Sequence, residues 1–463
     1  MDADAHRPGP PVAPPSRSPS AAIALSFLWP GLGQLFTGRG RAALLFAAPL
    51  LLLAFIVLVQ AIGGLTALAA ALVAPSTALT VAILIALLGL WRVISMADAA
   101  NGATRGRSWF AGVPAIVFVT LTALIVVTHV WAGYVAWAVY DASSRIFVGD
   151  ANPDATPDPT NDPDASPTPL ADPADEYRAT PFAEPSDDRA RINVLLTGID
   201  SAATRTHSLT DTMIVVSVDP DDGDIAMVSF PRDLSDFPLY NGKTYSGKLN
   251  SLMTWARNHP KDYPDGPLPT LAKELGFLLG VPIHYYAAVD LAGFKRLVDA
   301  VGGVTVDVAK PLNDPRYDWL DGRRGFSLKA GKQTLDGETA LAYVRSRFSA
   351  GDNDFGRARR QQQVLLAVRE KLTTPAMLPK LPELLDVAGD NIRTNFPSAR
   401  VGQMLELAAG LDGGDVQQVV LGPPYSYHPP TNTTGGIYKL RFHMDKLEAL
   451  SIKLFGADSG YAE

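Results

Sequence analysis

Residues 21–137 form a succession of apolar blocks separated by short polar joints. Residues 42–62, 78–95 and 111–137 approach or exceed the roughly 20 residues needed to cross a bilayer, which predicts three membrane-spanning helices. The stretch 21–36 is apolar too, but Pro30, Gly31 and Gly33 interrupt it. That pattern reads as an interfacial or re-entrant segment, with a full span as the competing reading. From residue 189 the pattern becomes that of a globular domain. An apolar run at 192–197 ends in Gly198-Ile199-Asp200, and β-branched runs at 212–218 and 225–230 flank the turn-forming string Asp219-Pro220-Asp221-Asp222-Gly223-Asp224, which predicts a hairpin. Further strands are expected at 285–289 and 304–308, on either side of a helix at 291–301 and a Gly302-Gly303 turn. Helical periodicity marks 339–344, 355–372, 377–388 and 398–409. Strands and helices alternate around at least one antiparallel hairpin, which indicates a mixed α/β sandwich over residues 189–463.

Charge fixes an expected orientation. Arg7, Arg17, Arg39 and Arg41 precede the first span, while Arg92, Arg105 and Arg107 lie at or within the joint between the second and third. Basic residues favour the cytoplasmic side, so three crossings would leave everything after the third outside the cell. Residues 150–188 hold nine Pro and eleven acids against one Arg. Such a composition buries too little apolar surface to offset its ordering entropy and is read as an extended spacer. The expected division is a disordered tail at 1–20, an all-α membrane region at 21–140, a linker at 141–188 and a globular domain at 189–463. No segment has the basic excess that nonspecific nucleic-acid binding requires. Zero cysteines exclude disulfides, thiolate metal sites and cysteine nucleophiles.

Phosphate loops, serine elbows and zinc helices are absent from the sequence, so chemistry falls to carboxylates, Arg, Lys and amides. Asp200 follows one apolar run and Asp211 precedes the next. On neighbouring strands, both carboxylates project from one sheet edge and offer hard oxygen donors suited to Mg²⁺. The alternative is that each caps a turn or pairs with Arg. Arg345, Arg347, Arg357, Arg359 and Arg360 lie within sixteen residues. On a helix, Arg357 and Gln361 share a face, Arg360 adjoins it and Arg359 points to solvent. Arg345 and Arg347 share a side if extended. Guanidinium groups grip phosphate oxygens bidentately; the alternative is a solvated helix paired with Asp352 and Asp354. Arg232, fixed after Pro231, and Lys248 add two further cations.

These pieces, in order, resemble the LytR-CpsA-Psr family of cell-wall ligases. The matching phrases are Asn193 through Asp200, Thr210-Asp211-Thr212-Met213, Pro231-Arg232-Asp233 and Lys248-Leu249-Asn250. They continue with residues 286–304, Leu335 through Leu341, and Arg345 through Gln362. The resemblance implies a three-layer α/β/α extracytoplasmic domain with a mixed sheet, behind a transmembrane anchor in the plasma membrane. It implies transfer of a glycopolymer from a polyprenyl-pyrophosphate carrier to a peptidoglycan sugar hydroxyl. Asp200 and Asp211 would bind Mg²⁺; Arg232, Lys248, Arg345, Arg347, Arg357 and Gln361 would hold the pyrophosphate. Arg232 would also stand among the catalytic residues with the two Asp, although a guanidinium is a poor base; Asp200, Asp211, Asp233 or late proton loss to phosphate takes up the hydroxyl proton. The lipid tail needs an apolar tunnel, for which Val215 and Val216 are candidates. Departures from the family pattern include Asp236, where some members carry Arg, and the number of spans. The alternatives are a noncatalytic polyprenyl-phosphate receptor or assembly protein, which binds without turnover, and a lipid pyrophosphatase, which releases phosphate without an acceptor.

Overall fold

The computed structural model describes residues 17–62, 75–104, 107–146, 182, 185–186, 190–200, 209–221, 223–319, 321–372, 374–397 and 416–462. The expected helix at 398–409 lies outside them, as do residues 1–16 of the tail and most of the linker; the last two residues expected in the disordered tail, Pro19 and Ser20, instead open the first helix. The chain divides near residue 137 into two units.

The first unit is helical: α1 (Pro19–Leu28), α2 (Leu32–Phe36), α3 (Gly40–Ile62), α4 (Pro75–Thr104) and α5 (Gly112–Ile146), whose last turns belong to the second unit. The helices α3, α4 and α5 are long and apolar enough to cross a membrane. At ten and five residues, α1 and α2 fall short of a span. The turn between them holds Gly31 at φ +104°, a left-handed conformation that favours glycine. The hairpin is fastened by polar groups rather than by apolar packing alone. Gln34 is wholly buried; its amide accepts from Ser26 Oγ and donates to the Ser95 carbonyl (2.8 Å) and to Asp98 (3.1 Å). Arg39 grips Asp98 through two hydrogen bonds of 2.8 and 2.9 Å.

The second unit is built on β1 (Ile192–Asp200), β2 (Leu209–Val218) and β3 (Ile225–Ser229), joined to β4 (Ser235–Pro238), β5 (Thr244–Lys248), α6 (Leu252–Asn258), α7 (Pro267–Leu279), β6 (Tyr285–Asp290), α8 (Leu291–Ala300) and β7 (Val304–Val308). A hairpin of β8 (Leu312–Asp318) and β9 (Arg324–Leu328) leads to β10 (Gly331–Leu335), α9 (Gly337–Arg345), α10 (Asp354–Leu372), α11 (Leu381–Asn391) and β11 (Ile392–Thr394). The chain closes with β12 (Val416–Val420), β13 (Ser426–Tyr427), β14 (Arg441–Phe442) and α12 (Met444–Phe455). The six-stranded sheet has the order β11-β6-β1-β2-β3-β12 and is mixed: β1–β2 and β2–β3 are antiparallel, β1–β6 and β3–β12 parallel.

Alternation along the strands divides the side chains between two faces. Leu195, Met213, Val215 and Val228 pack with α7 and α12, whereas Ile214, Val216 and Met227 face Leu365 and Leu366 of α10. Helices on both faces make the expected three layers. The hairpin and the strand–helix–strand unit at 285–308 match the sequence expectation; of the helix expected at 377–388, residues 381–388 lie in α11, while 377–380 belong to the 3₁₀ turn Pro375–Lys380 that precedes it. Buried within the first face is Glu274 of α7. Its Oε2 accepts from the Tyr240 N–H at 3.2 Å, its Oε1 has no hydrogen-bond partner, and burial pushes its pKa up to about 8.

Candidate anion-binding site

The first acid is placed by an irregularity in the sheet. The β1–β2 register runs in step to Gly198↔Thr212 and then slips to Ile199↔Thr210, which leaves Asp211 unpaired across the ladder. A bulge of this kind re-aims a side chain. Asp200 ends β1 opposite Leu209; its side chain lies outside the described residues. Beyond β3, Pro231 carries the chain to Arg232, which donates to Asp211 Oδ1 at 2.7 Å. The neighbouring Asp233, 5% exposed, accepts from Lys248 at the end of β5. Its backbone carbonyl accepts from the Leu440 N–H at 3.0 Å.

The N-terminal turn of α10 brings the remaining charges. Arg357 lies 3.1 Å from Asp354, and Arg347 approaches the same carboxylate at 3.6 Å. Asp354 faces Asp233, and the two carboxyls share a hydrogen bond. Burial and Asp233 raise the Asp354 pKa. Against burial, hydrogen bonds from Asp354 and Lys248 and the charge of Arg232 hold Asp233 down at about 2. Burial lowers Arg357 to about 10, with Arg232 and Arg347 adding like-charge repulsion and Asp354 opposing it. The cations therefore outnumber the charge available to neutralise them within a partly dehydrated cluster. The Nε atoms of Arg232 and Arg357 are buried without hydrogen-bond partners, a cost that an anion accepting from them would remove.

The segment after α9 is fixed from behind. Asp314, 1% exposed, accepts from the N–H groups of Arg347 (2.8 Å) and Phe348 (3.1 Å) and from Ser346 Oγ (3.0 Å). These bonds lower its pKa against the effect of burial. Arg360 donates to the Tyr343 and Ser346 carbonyls at 2.7 and 2.6 Å and pairs with Asp352 at 2.9 Å. Arg345 closes α9 as a helical residue and is held by the Tyr317 hydroxyl, so it does not share an extended side with Arg347. The Gln361 amide donates to the Val344 carbonyl at 3.4 Å.

The structure thus brings Asp211, Arg232, Lys248, Arg347 and Arg357 into one connected group, with Asp233 and Asp354 between them. The helix does pair with Asp352 and Asp354, but Arg357 and Arg360 are buried rather than solvated; Arg359 is exposed, as its helical position predicts. Sequence reasoning passed over Gln362, which ties α10 to the sheet through Ser229 Oγ (2.8 Å) and the Val419 carbonyl (3.0 Å). It also passed over Tyr438, whose pKa is raised by partial burial and by the nearby Asp354 and Asp233. Its setting in a Thr-, Pro- and Gly-rich stretch gave no periodic signal.

No tunnel is lined jointly by Val215 and Val216, because successive strand residues point to opposite faces: Val215 is core and Val216 is half-buried beside α10. Two surface depressions lie elsewhere, one around Trp319, Arg323 and Phe326 and one of about 180 Å³ around Arg191, Asn193 and His284. Among the described residues no group of three or more His, Cys, Asp or Glu is placed to hold a metal. Asp211 pairs with Arg232, the alternative that the sequence left open for it, and the Asp200 side chain lies outside the described residues.

Residues 168–453 match the LytR_cpsA_psr family. The chain is 29% identical over 244 residues to the polyisoprenyl-teichoic acid–peptidoglycan teichoic acid transferase TagV of Bacillus subtilis, a match covering 52% of this chain and 59% of that protein. It is 31% identical over 278 residues to the regulatory protein MsrR of Staphylococcus aureus, covering 59% and 77%. The crystal structure of B. subtilis TagV (24% identity, TM-score 0.47) covers 58% of this chain and 97% of that one. That of TagT bound to LI-WTA (25%, TM-score 0.43) covers 58% and 91%. With the family matched across both carboxylates, the Arg-rich helix and the strands that carry them, this chain belongs to the LytR-CpsA-Psr family.

Proposed function

We propose that this protein is a membrane-anchored phosphotransferase that moves a glycopolymer from a polyprenyl-pyrophosphate carrier to a peptidoglycan hydroxyl. The observation that carries the proposal is the partly dehydrated cluster of Arg232, Lys248, Arg347 and Arg357, with two buried guanidinium Nε atoms lacking a hydrogen-bond partner. Relatives named as teichoic acid–peptidoglycan transferases support the reaction class.

Phosphoryl transfer needs charge neutralised on the equatorial oxygens and an attacking hydroxyl held in line. In this reading Arg232, Lys248, Arg345, Arg347, Arg357 and Gln361 hold the pyrophosphate. The sugar hydroxyl forms the new P–O bond, the anhydride P–O bond breaks, and polyprenyl phosphate leaves with the electron pair. Mg²⁺ held by Asp200 and Asp211 would supply further charge neutralisation. The Asp233–Asp354 pair offers carboxylate oxygens beside the same cations for the hydroxyl proton. The N-terminus and the joint between α4 and α5 are cytoplasmic, α1 and α2 are re-entrant, and the second unit is extracytoplasmic.

The test is transfer of labelled lipid-linked saccharide to peptidoglycan by the purified chain in lipid nanodiscs with Mg²⁺. Asp211→Asn and Arg357→Ala are each expected to slow transfer roughly 100-fold or more, the scale on which losing one preorganised charge contact acts. Wild-type rates in both variants, binding without turnover, or phosphate release only without an acceptor would each overturn the proposal.

A further inference from the structure

The segment between β12 and α12 is secured to the charged cluster at both ends. Gly422 packs so closely on Phe355, the neighbour of Asp354, that an added Cβ would lie 2.8 Å from the ring. At the other end Leu440 bridges Leu234, its N–H donating to the Asp233 carbonyl at 3.0 Å while its own carbonyl accepts from the Ser235 N–H at 2.8 Å. The chain therefore arches from the start of α10 to the residues after Arg232. Lys439 and Arg441 hold the return limb by pairing with Asp236 at 3.1 and 2.7 Å, and Lys439 also reaches the Ser246 carbonyl of β5. On this arch, large apolar side chains are left open to solvent: Tyr438 is 46% exposed and Ile437 55%. The Tyr438 ring lies 4.5 Å from that of His428, whose Nδ1 is engaged by the Pro429 carbonyl, leaving Nε2 as an acceptor.

An exposed aromatic ring next to a phosphate-scale charge site, with a hydrogen-bond acceptor beside it, has the amphipathic character that a pyranose ring requires: an apolar C–H face to cover and hydroxyls to bind. We infer that Tyr438 and His428 form a saccharide subsite adjoining the phosphoryl-transfer centre, in which a sugar ring stacks on Tyr438. The inference rests on the proposed function and adds to it the residues that read the sugar, whether the ring belongs to the donor or to the acceptor. It also gives Asp236 a role: in place of another phosphate contact, it anchors the two cations that hold the arch.

The full chain in nanodiscs is tested with two probes, polyprenyl pyrophosphate bearing N-acetylglucosamine and the same pyrophosphate without a sugar, alongside the KM for a peptidoglycan saccharide acceptor. Tyr438→Ala is expected to weaken the sugar-bearing lipid, or to raise the acceptor KM, by about ten-fold, the scale of one aromatic stacking contact. Affinity for the sugar-free lipid stays within about two-fold of wild type, and Tyr438→Phe behaves as wild type. A change confined to donor affinity assigns the ring to the donor, and one confined to acceptor KM assigns it to the acceptor. Equal weakening of both lipids by Tyr438→Ala, or no change in either quantity, would sink the subsite. Failure of the wild-type chain to bind the sugar-free lipid would instead refute the phosphate site itself, and this inference with it.

Discussion

At the residue scale, burial decides what each charge can do. Asp233, Asp354 and Arg357 are buried beside one another, where their contacts lower the Asp233 pKa and raise that of Asp354, whereas Glu274 is buried with a single backbone donor and one carboxyl oxygen unserved. Its pKa of about 8 against an ordinary 4.5 means that between those values the folded chain retains a proton the unfolded chain has lost. Stability must then fall as pH rises through that window, by on the order of 4 kcal/mol once Glu274 is fully ionised. Glu274→Gln should flatten the decline in thermal midpoint between pH 5 and pH 9 and raise the midpoint at the alkaline end. An unchanged slope would remove Glu274 as its source. Some prominent sequence residues prove to be architectural: Asp290 and Asp336 cap α8 and α9 by accepting from Gly293 N–H (2.6 Å) and Thr339 N–H (2.7 Å). Asp211 was legible as a site candidate because it borders a strand. The bulge that lifts it out of the ladder was not, since the slip falls at the very start of β2, where too few residues precede it for a change of phase to be seen.

At the element scale, the hairpin and the βαβ-like passage through residues 285–308 were readable because periodicity and turn residues are local signals. The packing of the β8–β9 hairpin, the β4–β5 pair and α7 was not read, as it is set by partners distant in sequence. The same limit hid the support for Arg347, which comes from Asp314 more than 30 residues upstream. Asp314→Asn replaces a carboxylate accepting several donors with a neutral amide and should cost roughly 1–3 kcal/mol. The expected signature is local: faster amide exchange at residues 346–348 with α7 and α12 unchanged. Uniformly faster exchange across the second unit would show Asp314 to be a global rather than a local support.

At the scale of the whole molecule, the apolar blocks made three long helices legible, and the interruption at Pro30-Gly31 foretold the break between α1 and α2. The absence of native cysteine makes orientation directly measurable. An impermeant maleimide added to intact cells should label Ser166→Cys in the acidic segment and spare Ser108→Cys before α5; the reverse pattern would invert the topology. The Gln34–Asp98–Arg39 fastening carries a consequence for biogenesis. The partners of Gln34 and Arg39 are synthesised about 60 residues after them, so under the proposed topology the hairpin would meet lipid before the groups that satisfy it have left the ribosome. Under that topology its docking would follow the synthesis of α4, and a nascent chain halted short of Ser95 would leave the hairpin with Gln34 and Arg39 unsatisfied.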